Sequence, residues 1–174
     1  IILCGINYLY IMKKINKVKI EINGKKFLIK PKMTLKDVIT KYKIPAKKVA
    51  MALAEFITTR YPKDTLDVLV FGNDARPISI KELPYLQVGP YHTNTVAGLE
   101  LAMDMLRRKR NTNKQIFMIT DGKPSCLKMP DGSYYKNSVG LDRQIVEKCY
   151  LMARQAKKLK IPITTSIDSM RNKV

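Results

Sequence analysis

The sequence predicts an α/β fold: a doubly wound, mostly parallel sheet with helices on both faces, incomplete, and preceded by a small β-hairpin and helix. Three observations predict it. Two short runs, 66–71 and 115–120, are apolar with almost no polar alternation, the pattern of strands buried on both faces. Three segments, 46–60, 94–110 and 142–159, carry apolar residues at helical spacing. Helices and strands alternate from 46 to 165, as parallel sheets with right-handed crossovers require.

The 174 residues suffice for one domain with a core and a small appendage. Hydrophobic residues make up 45%, which excludes a disordered composition. Lys and Arg number 33 against 14 Asp and Glu, for a net charge of +19. Residues 13–48 hold thirteen Lys against Glu21 and Asp37, for 13 − 2 = +11 in that stretch. Such a segment attracts polyanions, so nucleic-acid or polyanion binding through the Lys-rich front is the second functional reading. Cys4, Cys126 and Cys149 are too scattered for a disulfide framework or a zinc site, and the cytoplasm is the expected compartment. The apolar start, residues 1–12, is too short to span a bilayer and is expected as a buried strand or as the remnant of something longer.

Val18, Ile20 and Ile22 alternate with charged residues and lead into Asn23-Gly24, a strong hairpin signal. Thr34, with Asp37 three residues on, caps a short helix at 35–41. Hairpin then helix, over about 17–44, resembles the opening of a β-grasp domain. Neither an iron–sulfur cysteine run nor a terminal Gly-Gly follows, so no chemistry is carried over.

Pro45 opens the helix at 46–60, where its missing N–H costs nothing. Val49, Leu53, Phe56 and Ile57 mark its apolar face. The strand at 66–71 ends in Gly72-Asn73-Asp74, and 77–83 reads as an edge strand and turn. The polar loop Tyr91-His92-Thr93-Asn94 runs into the helix at 94–110, whose face is Val96, Leu99, Met103 and Leu106. Arg107-Arg108-Lys109-Arg110 suits that helix's negative C-terminal end. The strand at 115–120 exits through Asp121-Gly122, and residues 123–140 read as a long polar loop. Ile145, Val146, Cys149, Met152, Ala153, Ala156 and Leu159 form the apolar face of the last helix, before a strand at 161–165.

Strand–Gly72-Asn73-Asp74, loop–Thr93-Asn94–helix and strand–Thr120-Asp121-Gly122 together resemble a von Willebrand factor A (VWA) domain of the bacterial intracellular kind, over about residues 45–165. The chain then divides into residues 1–44 and a truncated VWA-like domain at 45–174. The resemblance implies a metal-ion-dependent adhesion site, where Mg²⁺ is held by an Asp-x-Ser-x-Ser loop after the first strand, a Thr and an Asp. It makes Thr93 and Asp121 the metal-ligand candidates, with Asp74 in reserve. Thr93 equally suits a helix N-cap, and Asp121-Gly122 a plain strand-exit turn. No Asp-x-Ser-x-Ser occurs in the chain. Its expected place, fifteen or so residues before the first helix, offers Lys30 and Lys32 instead. Mg²⁺ binding is therefore expected to be weak or absent. If the front piece enters the sheet, residues 26–29 are expected to take the place of the missing first strand.

No catalytic residue is expected. His92 is the single histidine and lies in no nucleophile motif, and no Gly-x-x-x-x-Gly-Lys loop is present. Asp74, Asp121 and Asp131 are loop carboxylates, of which the first two can converge at one sheet edge. The functional expectation is a non-enzymatic adaptor or scaffold. The resemblance implies a protein partner offering an acidic side chain, with a MoxR-type AAA+ ATPase as the candidate.

Overall fold

A computed structural model describes residues 2–5, 18–22, 25–29, 46–87, 92–120 and 123–167. The expected helix at 35–41 with its Thr34 cap, Lys30, Lys32 and Asp121 lie outside the described residues. The strands are β1 (Ile2–Gly5), β2 (Val18–Ile22), β3 (Lys25–Ile29), β4 (Asp67–Phe71), β5 (Ala75–Ile78), β6 (Gln115–Thr120), β7 (Cys126–Lys128), β8 (Tyr134–Lys136) and β9 (Ile163–Ile167). The helices are α1 (Ala46–Arg60), α2 (Thr95–Arg107) and α3 (Arg143–Lys158), with a 3-10 helix at Ile80–Tyr85.

Five strands form the main sheet in the order β5-β4-β1-β6-β9. β6 and β9 pair in parallel, Ile116 opposite Ile163. β1 is antiparallel to both its neighbours, with Ile2 opposite Leu69 and Met118, and Cys4 opposite Asp67 and Ile116. It follows that β4, β6 and β9 run in one direction, as their apolar runs predict, while β1 and β5 oppose them. The sheet is therefore mixed, not mostly parallel. Residues 26–29 do not supply the middle strand. They are held in the β2–β3 hairpin, where Val18 faces Ile29 and Ile22 faces Lys25 across Asn23-Gly24. Local hairpin closure costs little chain entropy, and the middle place is taken by the apolar start of the chain.

Every residue of β6 from Gln115 to Ile119 is buried. Side chains alternate across a strand, so both faces of the sheet are covered there. Ile116 and Met118 join Leu69, Leu99, Ala102, Met103, Leu106, Ala156 and Ile161 in one cluster beneath α2 and α3. Their alternates Phe117 and Ile119 are equally buried, and α1 also packs against β6 and the 3-10 helix. α1 buries Val49, Ala50, Leu53, Ala54 and Ile57. The predicted Phe56 is half-buried and meets Tyr61 edge to face at 6.2 Å between ring centres. Buried Gln115 is satisfied by donating from Nε2 to Thr164 Oγ1 at 3.1 Å.

Two local readings differ from the sequence expectation. Residues 123–140 contain the β7–β8 hairpin, Cys126 opposite Lys136. Its turn is closed by Asp131, which accepts from the Ser133 amide (2.9 Å) and hydroxyl (2.6 Å). The strands are three residues each, too short for periodicity to register. The apolar face read on α3 is only partly covered: Ile145 and Ala156 are buried, whereas Val146 and Leu159 are 40% and 39% exposed. Among the described residues no helix is long and apolar enough to cross a membrane.

Candidate functional site

β4, β6 and β9 leave the sheet at one edge, and the loops that follow β4 and precede α2 are tied together there. β4 exits into Gly72-Asn73-Asp74, the chain returns at His92-Thr93-Asn94, and Ser125 follows the exit of β6. The fastening is by hydrogen bonds between short polar residues. The Asn94 amide donates to the Gly72 carbonyl at 2.7 Å, and Asn94 Nδ2 donates to the Asn73 carbonyl at 2.9 Å. The His92 amide donates to Asn73 Oδ1 at 3.2 Å. Thr93 and Ser125 are joined in both directions: the Thr93 amide donates to Ser125 Oγ and the Ser125 amide to the Thr93 carbonyl, each at 3.0 Å. The Ser125 carbonyl in turn accepts from the Asn137 amide at 2.9 Å.

Asn94 is the hub. It is 1% exposed and is the N-cap of α2, its Oδ1 accepting from the Ala97 amide at 3.1 Å. A short side-chain acceptor at this position satisfies one of the helix's orphan amides. The capping role that Thr93 suits on sequence grounds thus belongs to its neighbour. Thr93 itself is half-buried at the loop edge. Asn94 was visible in the sequence as a cap-type residue before an apolar helix. Ser125 carried no signal beyond its place after the β6 exit.

Asp74 is exposed and turned toward the β7–β8 hairpin. Its Oδ1 lies 3.3 Å from the Lys128 ammonium, and its Oδ2 accepts from the Tyr134 hydroxyl. The Tyr134 hydrogen bond, aided by the Lys128 charge, holds the Asp74 carboxyl below the usual carboxylate range. Lys128 and Lys136 also stand over the Tyr134 ring at 5.8 and 5.9 Å from its centre. Asp142, the N-cap of α3, has its own partners in the Ile145 amide, Tyr135 and Asn137.

The donors described here do not fit a Mg²⁺ site. That ion takes six hard oxygens at about 2.0–2.1 Å. Thr93 offers a neutral hydroxyl group, and both oxygens of Asp74 are committed, one of them to a cation. β1 runs opposite to β6: Ile2 lies opposite Met118 and Gly5 opposite Gln115. The chain therefore leaves β1 at the far edge of the sheet, away from Thr93 and Asp74. Among the described residues no group of three or more His, Cys, Asp or Glu is assembled.

Comparison with known proteins places this arrangement in a family. The chain is 36% identical over 84 residues to the uncharacterized proteins Mb0984 of Mycobacterium bovis and Rv0959 of Mycobacterium tuberculosis. The match covers 47% of this chain and 12% of each relative, so the chain spans only a small part of their length. No solved structure matches it. The model of the Rv0959-like protein vWA domain matches residues 33–167, which include every loop of the site and begin ahead of the expected boundary at 45. The chain belongs to the Rv0959-like vWA domain family.

Proposed function

We propose that the chain is a non-enzymatic adaptor or scaffold of VWA type, working in the cytoplasm, whose metal-ion-dependent adhesion site is degenerate. The observation that supports this most is the loop edge itself. Its segments are fastened by protein hydrogen bonds through Asn94, Asn73 and Ser125, so the surface needs no ion to hold its shape. Mg²⁺ then binds weakly or not at all. A partner's acidic side chain is met by the basic groups at this edge, of which the exposed Lys136, over the Tyr134 ring, is one. Burial pushes the Cys149 thiol up to about 11, which leaves this one thiol protonated at neutral pH.

The partner favoured by the VWA resemblance is a MoxR-type AAA+ ATPase. The test is capture of such an ATPase, encoded in the same genome, by the immobilised 174-residue chain with and without EDTA. Saturable capture that survives EDTA is expected. Recovery of RNA or DNA with no ATPase would contradict the proposal and favour polyanion binding by the Lys-rich front.

A further inference from the structure

The run Arg107-Arg108-Lys109-Arg110 holds more charge than the end of α2 needs. A helix C-terminus carries about half a negative charge, which a single cation offsets. β4 and β6 both oppose β1 and so run in one direction. α1 and α2, which precede them, therefore end at the same edge of the sheet, opposite the loop edge. α1 ends at Arg60 and reaches β4 through residues 61–66, and α2 ends at Arg107 and reaches β6 through residues 108–114. Lys109 ties the two connections together, its ammonium 3.0 Å from Asp67 Oδ2 at the start of β4. Only β1 separates the two strands. Their starts lie roughly 10 Å apart, about one Debye length at physiological salt, so their charges act together.

Residues 60–67 and 104–114 hold seven Lys and Arg against Asp64, Asp67 and Asp104, for 7 − 3 = +4. The two helix ends together offset about one of those charges. Among the described residues Lys109 is engaged by Asp67, and Arg107 lies 3.6 Å from Asp104. Arg60, Lys63, Arg108 and Arg110 are exposed. Three of these four are arginine, whereas residues 13–48 hold thirteen Lys and no Arg. A guanidinium presents a planar fork of donors that matches a phosphate group. The surroundings narrow the occupant. Neither connection carries an exposed large apolar side chain, and Tyr61 is half-buried against Phe56. A protein partner would find no apolar centre to bury here, and a single strand no ring on which to stack its bases. Asn111 and Thr112 add short polar groups of the kind that contact phosphate and sugar.

We propose that this edge binds the phosphate backbone of duplex nucleic acid without reading its sequence. Arg60 and Lys63 from one connection and Arg108 and Arg110 from the other each meet a phosphate, and the counterions they displace drive binding. The surface belongs to the VWA-type domain itself, since both connections lie within the family match at 33–167. It is separate from the Lys-rich front. It also lies away from the loop edge and does not depend on the function proposed there.

The test is anisotropy of a fluorescein-labelled DNA duplex of about 20 base pairs with the whole chain, across about 50–200 mM salt. Four phosphate contacts predict a slope of log affinity against log salt near −3.6, about −0.9 per contact, and a fall of roughly 150-fold over that range. Two duplexes of unrelated sequence should bind within about threefold of each other. An RNA duplex shows which helix form is preferred, and binding of either form supports the assignment. Arg108→Gln with Arg110→Gln should make the slope shallower by about 1.8, and Arg60→Gln with Lys63→Gln should do the same. The four side chains are exposed, so neither variant should move the urea midpoint appreciably. Lys30→Gln with Lys32→Gln removes the same charge from the front segment and should leave the slope unchanged. An equal loss of slope in that protein would overturn the proposal and assign the binding to the front. A slope near zero, or tighter binding of a single strand, of polyglutamate or of phosphatidylglycerol vesicles, would also overturn it.

Discussion

Leu69→Ala is expected to cost roughly 3–5 kcal/mol in urea denaturation, read as a large fall in midpoint with little change in slope. Leu69 is 0% exposed and sits on β4 in the cluster that joins Leu99, Met103 and Leu106 of α2 to Ile116 and Met118 of β6. Truncation removes apolar contact from two helices and two strands at once. A rigid sheet cannot collapse into the space, so a cavity adds to the lost transfer energy. Domains of this kind hold only about 5–15 kcal/mol in total, so the variant should lie close to unfolding. Val146→Ser, on the exposed side of α3, should stay within about 0.5 kcal/mol. Equal effects from the two substitutions would mean that the core is not where the β4–α2–β6 packing puts it.

Asn94→Ala is expected to destabilise by about 2–4 kcal/mol, a large effect for one amide. Two terms combine. The α2 cap is lost when nothing accepts from the Ala97 amide, at about 0.5–2 kcal/mol. The Asn73 carbonyl also loses its Nδ2 donor at the buried hub, at about 1–3 kcal/mol. Asn94→Asp separates them: it keeps an acceptor for Ala97 but removes the donor to Asn73, so it should recover only the cap. The measurement is the urea midpoint of the three proteins side by side. A cost below about 0.5 kcal/mol for Asn94→Ala would show that the loops after β4 and before α2 are not fastened through this residue.

Much of the architecture was legible because burial on both faces erases polar alternation. Residues 115–120 read as a buried strand and β6 is that strand, end to end. The α1 limits at 46 and 60 also match the sequence reading. The source and direction of the middle strand were not legible. Periodicity says that 66–71 and 115–120 are strands, but it does not say which segment lies between them, and residues 25–29 pair with residues 18–22 instead. The β7–β8 hairpin was missed for its short strands. The sequence placed the Thr93-Asn94 loop directly ahead of α2 but could not say which of the two would cap it. Asp74 was legible as a loop carboxylate, but its capture by Lys128 and Tyr134, more than fifty residues away, is a product of the fold. The uncovered half of the α3 face reads in the sequence as ordinary core.

The reading of the loop edge turns on whether its shape needs a cation. The direct measurement is a thermal melt of the whole chain with and without millimolar Mg²⁺ or Mn²⁺, repeated for Asp121→Ala. The hydrogen-bonded fastening of Asn73, Asn94 and Ser125, the engagement of Asp74 with Lys128 and the reversed middle strand predict no shift in either protein. A cation bound at a hundred times its dissociation constant would stabilise the native state by about 2.7 kcal/mol. A shift of that size, lost in Asp121→Ala, would contradict the prediction and show a working metal site.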